Sequence, residues 1–155
     1  MLGVQCRFRV WGAVVLAGLL AAMTARGAFA NEPSVEQLKA RLSSANVGDR
    51  PHLCVQIAQK QLVEADKQYA AADFEKGQAA LVDVVAYSEL ARDYAIQSHK
   101  YQKQSEIAVR TMTRKLTELM HSLGHDDQAP VQDALNRLQR VRDDLLMSMF
   151  PKGAK

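Results

Sequence analysis

From Gln78 to Leu123 the chain contains neither glycine nor proline, and through most of that run apolar residues recur at steps of three and four. Such spacing lays one apolar stripe along a helix, and nothing within the run signals a stop. Asp73 is suited to cap the start and Gly124 to end the run. The pattern therefore predicts a single helix of about 50 residues, roughly 75 Å long at 1.5 Å per residue. Its front half carries Leu81, Val84, Val85, Ser88, Ala91 and Ala95 on one face, and its back half Ile107, Ala108, Val109, Met112, Leu116, Leu119 and Met120. Between them, Gln97 to Glu106 is polar, with Tyr101 its one large apolar residue. A helix with such a waist is exposed there or packs through small side chains.

Helical spacing also dominates the flanks, and strand signals are absent. Ser34 followed by Gln37 makes a capping box before a short helix whose apolar face is Val35, Leu38 and Leu42 and which ends near Ala45. Asn46 to Pro51 is a loop, since Arg50 precedes proline. A second helix runs from about Pro51 to Ala71, with Cys54, Ile57, Ala58, Leu62, Ala65 and Tyr69 inward. Its short link to Asp73 forces an antiparallel hairpin. Beyond Gly124, the residues His125-Asp126-Asp127 turn the chain into a last helix, Pro130 to Phe150, striped by Val131, Ala134, Leu135, Leu138, Val141, Leu145 and Met149. The expected fold is all-α: a small bundle of one short and three longer helices, occupying residues 31–150. In it, the very long central helix takes one antiparallel partner on each half. Residues 151–155 are expected to be a disordered tail.

The first 30 residues have the marks of a secretory signal peptide. Arg7 and Arg9 precede the uncharged run Val10 to Ala22, and Ala28-Phe29-Ala30 fits signal peptidase. That apolar run is shorter than the roughly 20 residues a membrane-spanning helix requires. Cleavage after Ala30 would place the protein in the periplasm or outside the cell, with no membrane span left. It would also leave 17 basic and 17 acidic residues, so the sequence pI of 8.9 reflects the leader and gives no support for nucleic-acid binding. Cys6 would leave with the leader, so Cys54 has no intramolecular disulfide partner. Its place on the inner stripe predicts a buried thiol; the other reading is a bridge between chains.

No nucleophile elbow, zinc-protease motif, paired-cysteine motif, phosphate loop or dinucleotide fingerprint occurs. The expectation is a non-enzymatic protein without cofactor that acts by protein–protein interaction or self-assembly. Tyr87, Tyr94 and Tyr101 recur every seven residues and mark one strip along the long helix, the expected interaction surface. The other function considered is a small metal- or ligand-binding domain. His121 and His125 are four apart, as two imidazoles on one helical face would be, and Asp126 and Asp127 offer oxygen ligands. Gly124 between the histidines works against a shared face. Arg92 to Lys115 carries six basic residues against two acidic ones, whereas Glu118 to Asp144 carries six acids against three arginines.

The run Ala65 to Val84 (ADKQYAAADFEKGQAALVDV) resembles the turn region of a tetratricopeptide repeat. Ala65 and Gly77 fall at its small positions, Tyr69 and Phe74 at its aromatic ones, and Leu81 and Val84 at its apolar contacts. The likeness covers about 35 residues with the flanking helices, a single unit where a solenoid stacks about three. No tryptophan opens its first helix, and Glu89 stands where proline usually closes the second. The resemblance implies a helix-turn-helix packing mode and a tendency to bind proteins or peptides.

Overall fold

The computed structural model describes residues 32–151. The expected leader and residues 152–155 lie outside the described residues. Five α-helices follow in order: α1 (Val35–Ser44), α2 (Arg50–Ala70), α3 (Phe74–Ser98), α4 (Gln102–Ser122) and α5 (Gln128–Met149), with a 3-10 turn at His125–Asp127 before the last. The described residues hold no strand. The all-α bundle is as expected, and so is the capping box that starts α1: Ser34 Oγ accepts from Gln37 N–H, and Gln37 Oε1 accepts from Ser34 N–H.

The single long helix is not formed. The run predicted to be continuous is two helices, α3 and α4, reversing at His99-Lys100-Tyr101. His99 (φ 55°) and Tyr101 (φ 60°) both adopt the left-handed region, at about 1–2 kcal/mol for each non-glycine residue. Ser98 prepares the exit, its hydroxyl donating to Tyr94 C=O at 2.7 Å and accepting from Lys100 N–H at 3.3 Å. The reversal is favoured because it brings the two apolar stripes into one core. Val84 and Val85 of α3 join Val109, Met112 and Leu116 of α4 in the same buried cluster, together with Leu62 of α2 and Leu135 and Leu138 of α5. An extended 75 Å rod would leave each stripe half covered, and the burial recovered by folding back, at about 25 cal/mol per Å², outweighs two strained residues.

Contacts between helices fix their directions. Gln61 donates to Asp83, and Cys54 clusters with Ala91, so α2 and α3 are antiparallel. Gln102 donates to Ser148, and Arg142 pairs with Glu106, so α4 and α5 are antiparallel as well. Arg137 pairs with Glu89 and Arg92 with Asp144, which makes α3 and α5 parallel. The result is an up-down-up-down four-helix bundle, with α2 and α3 the most intimate pair and the α2–α4 side thinly packed. The short α1 lies on α2, with Leu38 fully buried, and reaches α3 through Lys39 and Asp83 at 3.4 Å.

The α2–α3 turn shows why its residues look like a repeat hairpin. Ala72 takes the left-handed conformation (φ 58°), Asp73 N–H donates to Gln68 C=O, and the Asp73 carboxylate caps α3 by accepting from Lys76 N–H. Gly77 is needed for close approach: a Cβ there would sit 2.8 Å from the Tyr69 ring, which meets Phe74 edge-on at 5.9 Å. No second such unit stacks on it among the described residues.

Candidate interaction surface

The tyrosine strip faces the protein's own first two helices. Tyr87 and Tyr94 are half-buried on α3, and Tyr101 sits in the reversal rather than on a helix face. Each ring meets a nitrogen-bearing group from α1 or the start of α2. Lys39 Nζ lies 5.4 Å from the Tyr87 centroid, the Arg50 guanidinium 5.2 Å from that of Tyr94, and the His52 ring stacks on Tyr101 at 5.5 Å. Arg50 also donates to Tyr94 Oη at 3.4 Å and to Ala45 C=O at 3.1 Å, tying the α1–α2 loop down. Burial works to lower the Lys39 pKa, but Asp83 and the Tyr87 hydroxyl outweigh it and raise the ammonium above its ordinary value. The faces of these rings are thus taken up within the chain, each cation–ring contact contributing about 0.5–1 kcal/mol.

What the strip organises is the end of the bundle where α2 and α4 begin and α3 and α5 finish. The reversal presents His99, Lys100 and Lys103 to solvent beside exposed His52, and Arg41 projects from the end of α1. Lys100 lies across Gly48, where a Cβ would come within 3.0 Å of its Cδ and 3.1 Å of its Nζ. Arg41, Lys100 and Lys103 make no ion pair among the described residues, and Asp49 is the one acid in this group.

The opposite end has the reverse balance. Its bases are mostly paired: Lys76 with Asp73 at 2.7 Å, Lys67 with Glu64 at 3.9 Å, and Arg114 with Glu118 at 4.0 Å. The Lys76 hydrogen bond, first of several contacts, holds the Asp73 carboxyl below its usual value. Asp66, Glu75, Asp126, Asp127 and Asp133 have no ion pair among the described residues; Lys115 is the unpaired base there. Tyr69 Oη is buried there without a hydrogen-bond partner, and burial, with Asp127 nearby, raises the phenol's pKa. Unpaired charge is therefore biased by sign along the bundle axis, with Asp49 and Asp143 the exceptions toward the basic end and Lys115 the exception at the other. Sequence reasoning missed this because residues 99–103 were placed in mid-helix. The runs of opposite sign in Arg92–Lys115 and Glu118–Asp144 were the available signal.

Concavities flank the core, and two of them bear on the surface charge. One, of about 370 Å³ between α2 and α4, has Leu62, Val63 and Leu119 as its apolar part and Asp66, Lys115 and Glu118 among its polar lining. The other, about 410 Å³ between α3 and α5, is lined by Glu89, Arg92, Arg137, Arg140, Asp143, Asp144 and Met147. In it Arg137 grips Glu89 through two nitrogens at 2.9 and 3.1 Å, and Arg92 reaches Asp144 at 2.9 Å, so most of its charge is internally matched.

The histidine–aspartate set considered as the alternative reading is not brought together. α4 ends at Ser122, Leu123 is extended, and His125 opens the separate 3-10 turn, so His121 and His125 lose their common face. No group of three or more His, Cys, Asp or Glu among the described residues is placed to hold a metal ion. Cys54 is fully buried, and burial pushes its thiol up to about 12 against a weaker opposing effect of Arg50. Such a thiol is neither nucleophile nor accessible bridge. No described helix is long and apolar enough to cross a membrane.

Fold and surface together define a four-helix bundle with an added N-terminal helix and a charge-biased axis. No family model matches the chain, and neither a curated protein nor a solved structure matches it.

Proposed function

We propose that this chain is an exported, non-enzymatic interaction module that engages a macromolecular partner through the basic end of its bundle. The supporting observation is the bias of unpaired charge: Lys100, Lys103 and Arg41 against Asp49 and Asp143 toward one end, and five unpaired acids against Lys115 at the other. Fields of this kind steer association and select orientation. In this reading Tyr87, Tyr94 and Tyr101 brace the basic end rather than form the contact themselves. Cys54, protonated and enclosed, offers no chemistry.

The test is affinity capture from the envelope fraction with the mature chain as bait, compared with Lys100→Glu/Lys103→Glu. The expected result is a protein retained by the wild type and lost with the double reversal. Equal retention by both baits would contradict the assignment of the surface.

A further inference from the structure

We propose that two copies of this chain exchange their α4–α5 hairpins, each straightening its reversal so that α3 and α4 join into one helix. The bundle of a single chain is the closed form, and the exchanged dimer is a second form of the same core. A lone chain has to fold back to cover its two stripes; a second chain removes that need. The exchange concerns the turn itself and does not rest on the basic end as a contact surface.

The residues of the turn suit a helix interior rather than two helix ends. α1 and α3 begin at side-chain caps, Ser34 and Asp73. α4 has no such cap and no acid in its first turn, where Lys103 carries the wrong sign for the helix dipole. α3 finishes with no base in its last turn. Ends of this kind leave the last carbonyls of α3 and the first N–H groups of α4 without helix partners, and a continuous helix pairs them with each other. Straightening also takes His99 and Tyr101 out of the left-handed region. The register agrees. Ala95, Ser98, Gln102, Ser105 and Val109 follow alternating steps of three and four straight across the turn, all of them buried or half-buried. That phase places both apolar stripes on one face of a helix that runs through.

The occupant follows from the packing. α3 lies chiefly on α2, and α4 chiefly on α5, so the chain is two units, α1–α3 and α4–α5. Parting them uncovers Val84 and Val85 on one unit and Val109, Met112 and Leu116 on the other. The surface that matches each is the unit just removed, which a second copy supplies with the same contacts. Arg137–Glu89 and Arg92–Asp144 then re-form between chains. What is lost lies at the turn: Ser98 Oγ accepting from Lys100 N–H at 3.3 Å, Tyr101 stacked on His52, and Lys100 across Gly48. Short hinges under strain favour such an exchange, and because it is reciprocal the dimer closes with two-fold symmetry.

Refolding the mature chain at low and at high concentration, followed by size-exclusion chromatography with light scattering, tests this. The expected result is monomer from dilute refolding and, from concentrated refolding, a dimer that survives dilution because return requires a lobe to open. His99→Gly/Tyr101→Gly frees the reversal of strain and weakens a continuous helix, and should lower the dimer fraction by about tenfold or more. Glu89→Arg and Arg137→Glu each put like charges on the α3–α5 seam. Refolded together, they should give a mixed dimer in which both lobes regain an opposite pair, with a thermal midpoint above that of either variant alone. Docking of intact bundles would keep the clash inside each copy, and mixing would leave the midpoint unchanged. Monomer at every concentration, a dimer equally abundant in the glycine variant, or a mixture without a raised midpoint overturns the exchange. The envelope capture tests the basic end separately, and its failure would leave these results standing.

Discussion

At the end where α2 stops and α5 begins, Tyr69, Leu81, Leu116, Leu119, Val131 and Leu135 fill the centre of the bundle. At the opposite end most buried residues are small, Cys54, Ala91, Ala95, Ala108 and Ser105, whose hydroxyl has no partner, with Val55, Val141 and Leu145 the larger ones. Buried Glu106 is held there by Arg142 at 2.8 Å, with Arg110 at 3.9 Å. Large side chains give the first end deep burial. Small ones let helices approach at the second but remove little apolar area from water, and Glu106 adds a desolvation cost that its arginines must offset. The structure thus keeps its large apolar core at one end and most of its unpaired cations at the other, while each end carries left-handed residues, Ala72 at the first and His99 and Tyr101 at the second. The same division explains why α3 and α4 part company at the polar waist: a turn costs least where it gives up little core.

Substitutions sharpen the contrast. The largest effect belongs to Leu116→Ala, which empties a fully buried site at the apolar end; a loss of about 2–5 kcal/mol is expected in urea unfolding. A loss below 1 kcal/mol would mean that this end is not the anchor. Next comes Gly77→Ala, whose new Cβ would lie 2.8 Å from Tyr69 Cδ2 and Cε2. Displacing that ring should cost about 1–3 kcal/mol, seen as a lowered thermal midpoint with near-ultraviolet dichroism of the tyrosines altered.

At the other end, Cys54 provides a pH probe. Its folded pKa is raised from 9.0 to about 12 by burial. The unfolded thiol therefore ionises first, so stability is fully present below about pH 9 and falls as pH rises toward 12. Between about pH 8 and 10 the folding constant should drop about tenfold more in the wild type than in Cys54→Ala. Equal pH profiles would show the thiol to be solvated. The smallest expected effect has the opposite sign: His99→Gly relieves a left-handed residue and should stabilise by about 0.5–1 kcal/mol after the entropic cost of glycine. A destabilised variant would mean that the His99 side chain makes contacts that outweigh its backbone strain.

Much of this fold was readable from the residues alone. The inner stripes of α2 and α5, the capping box at Ser34, the hairpin at Asp73 and the burial of Cys54 follow from spacing and end chemistry, which are local properties. The reversal at His99–Tyr101 was not readable, because it has neither glycine nor proline and its cause is tertiary: two stripes that each looked sufficient for a separate partner gain more by sharing one core. That error carried into the site. With Tyr101 read as mid-helix, the tyrosines form an interaction strip and Lys100 and Lys103 are members of a basic run along one helix. Once the chain turns back, the rings support cations and the lysines crown an end.

Native-state hydrogen exchange, resolved by residue across 32–151, tests the division between the ends most directly. The account predicts that amides of Leu81–Ser88 and Met112–Leu119 exchange only through global unfolding, while those of Ala95–Glu106 exchange through local opening at least a hundredfold faster. Uniform protection across both segments, or slower exchange around the reversal than around Leu116, would contradict it.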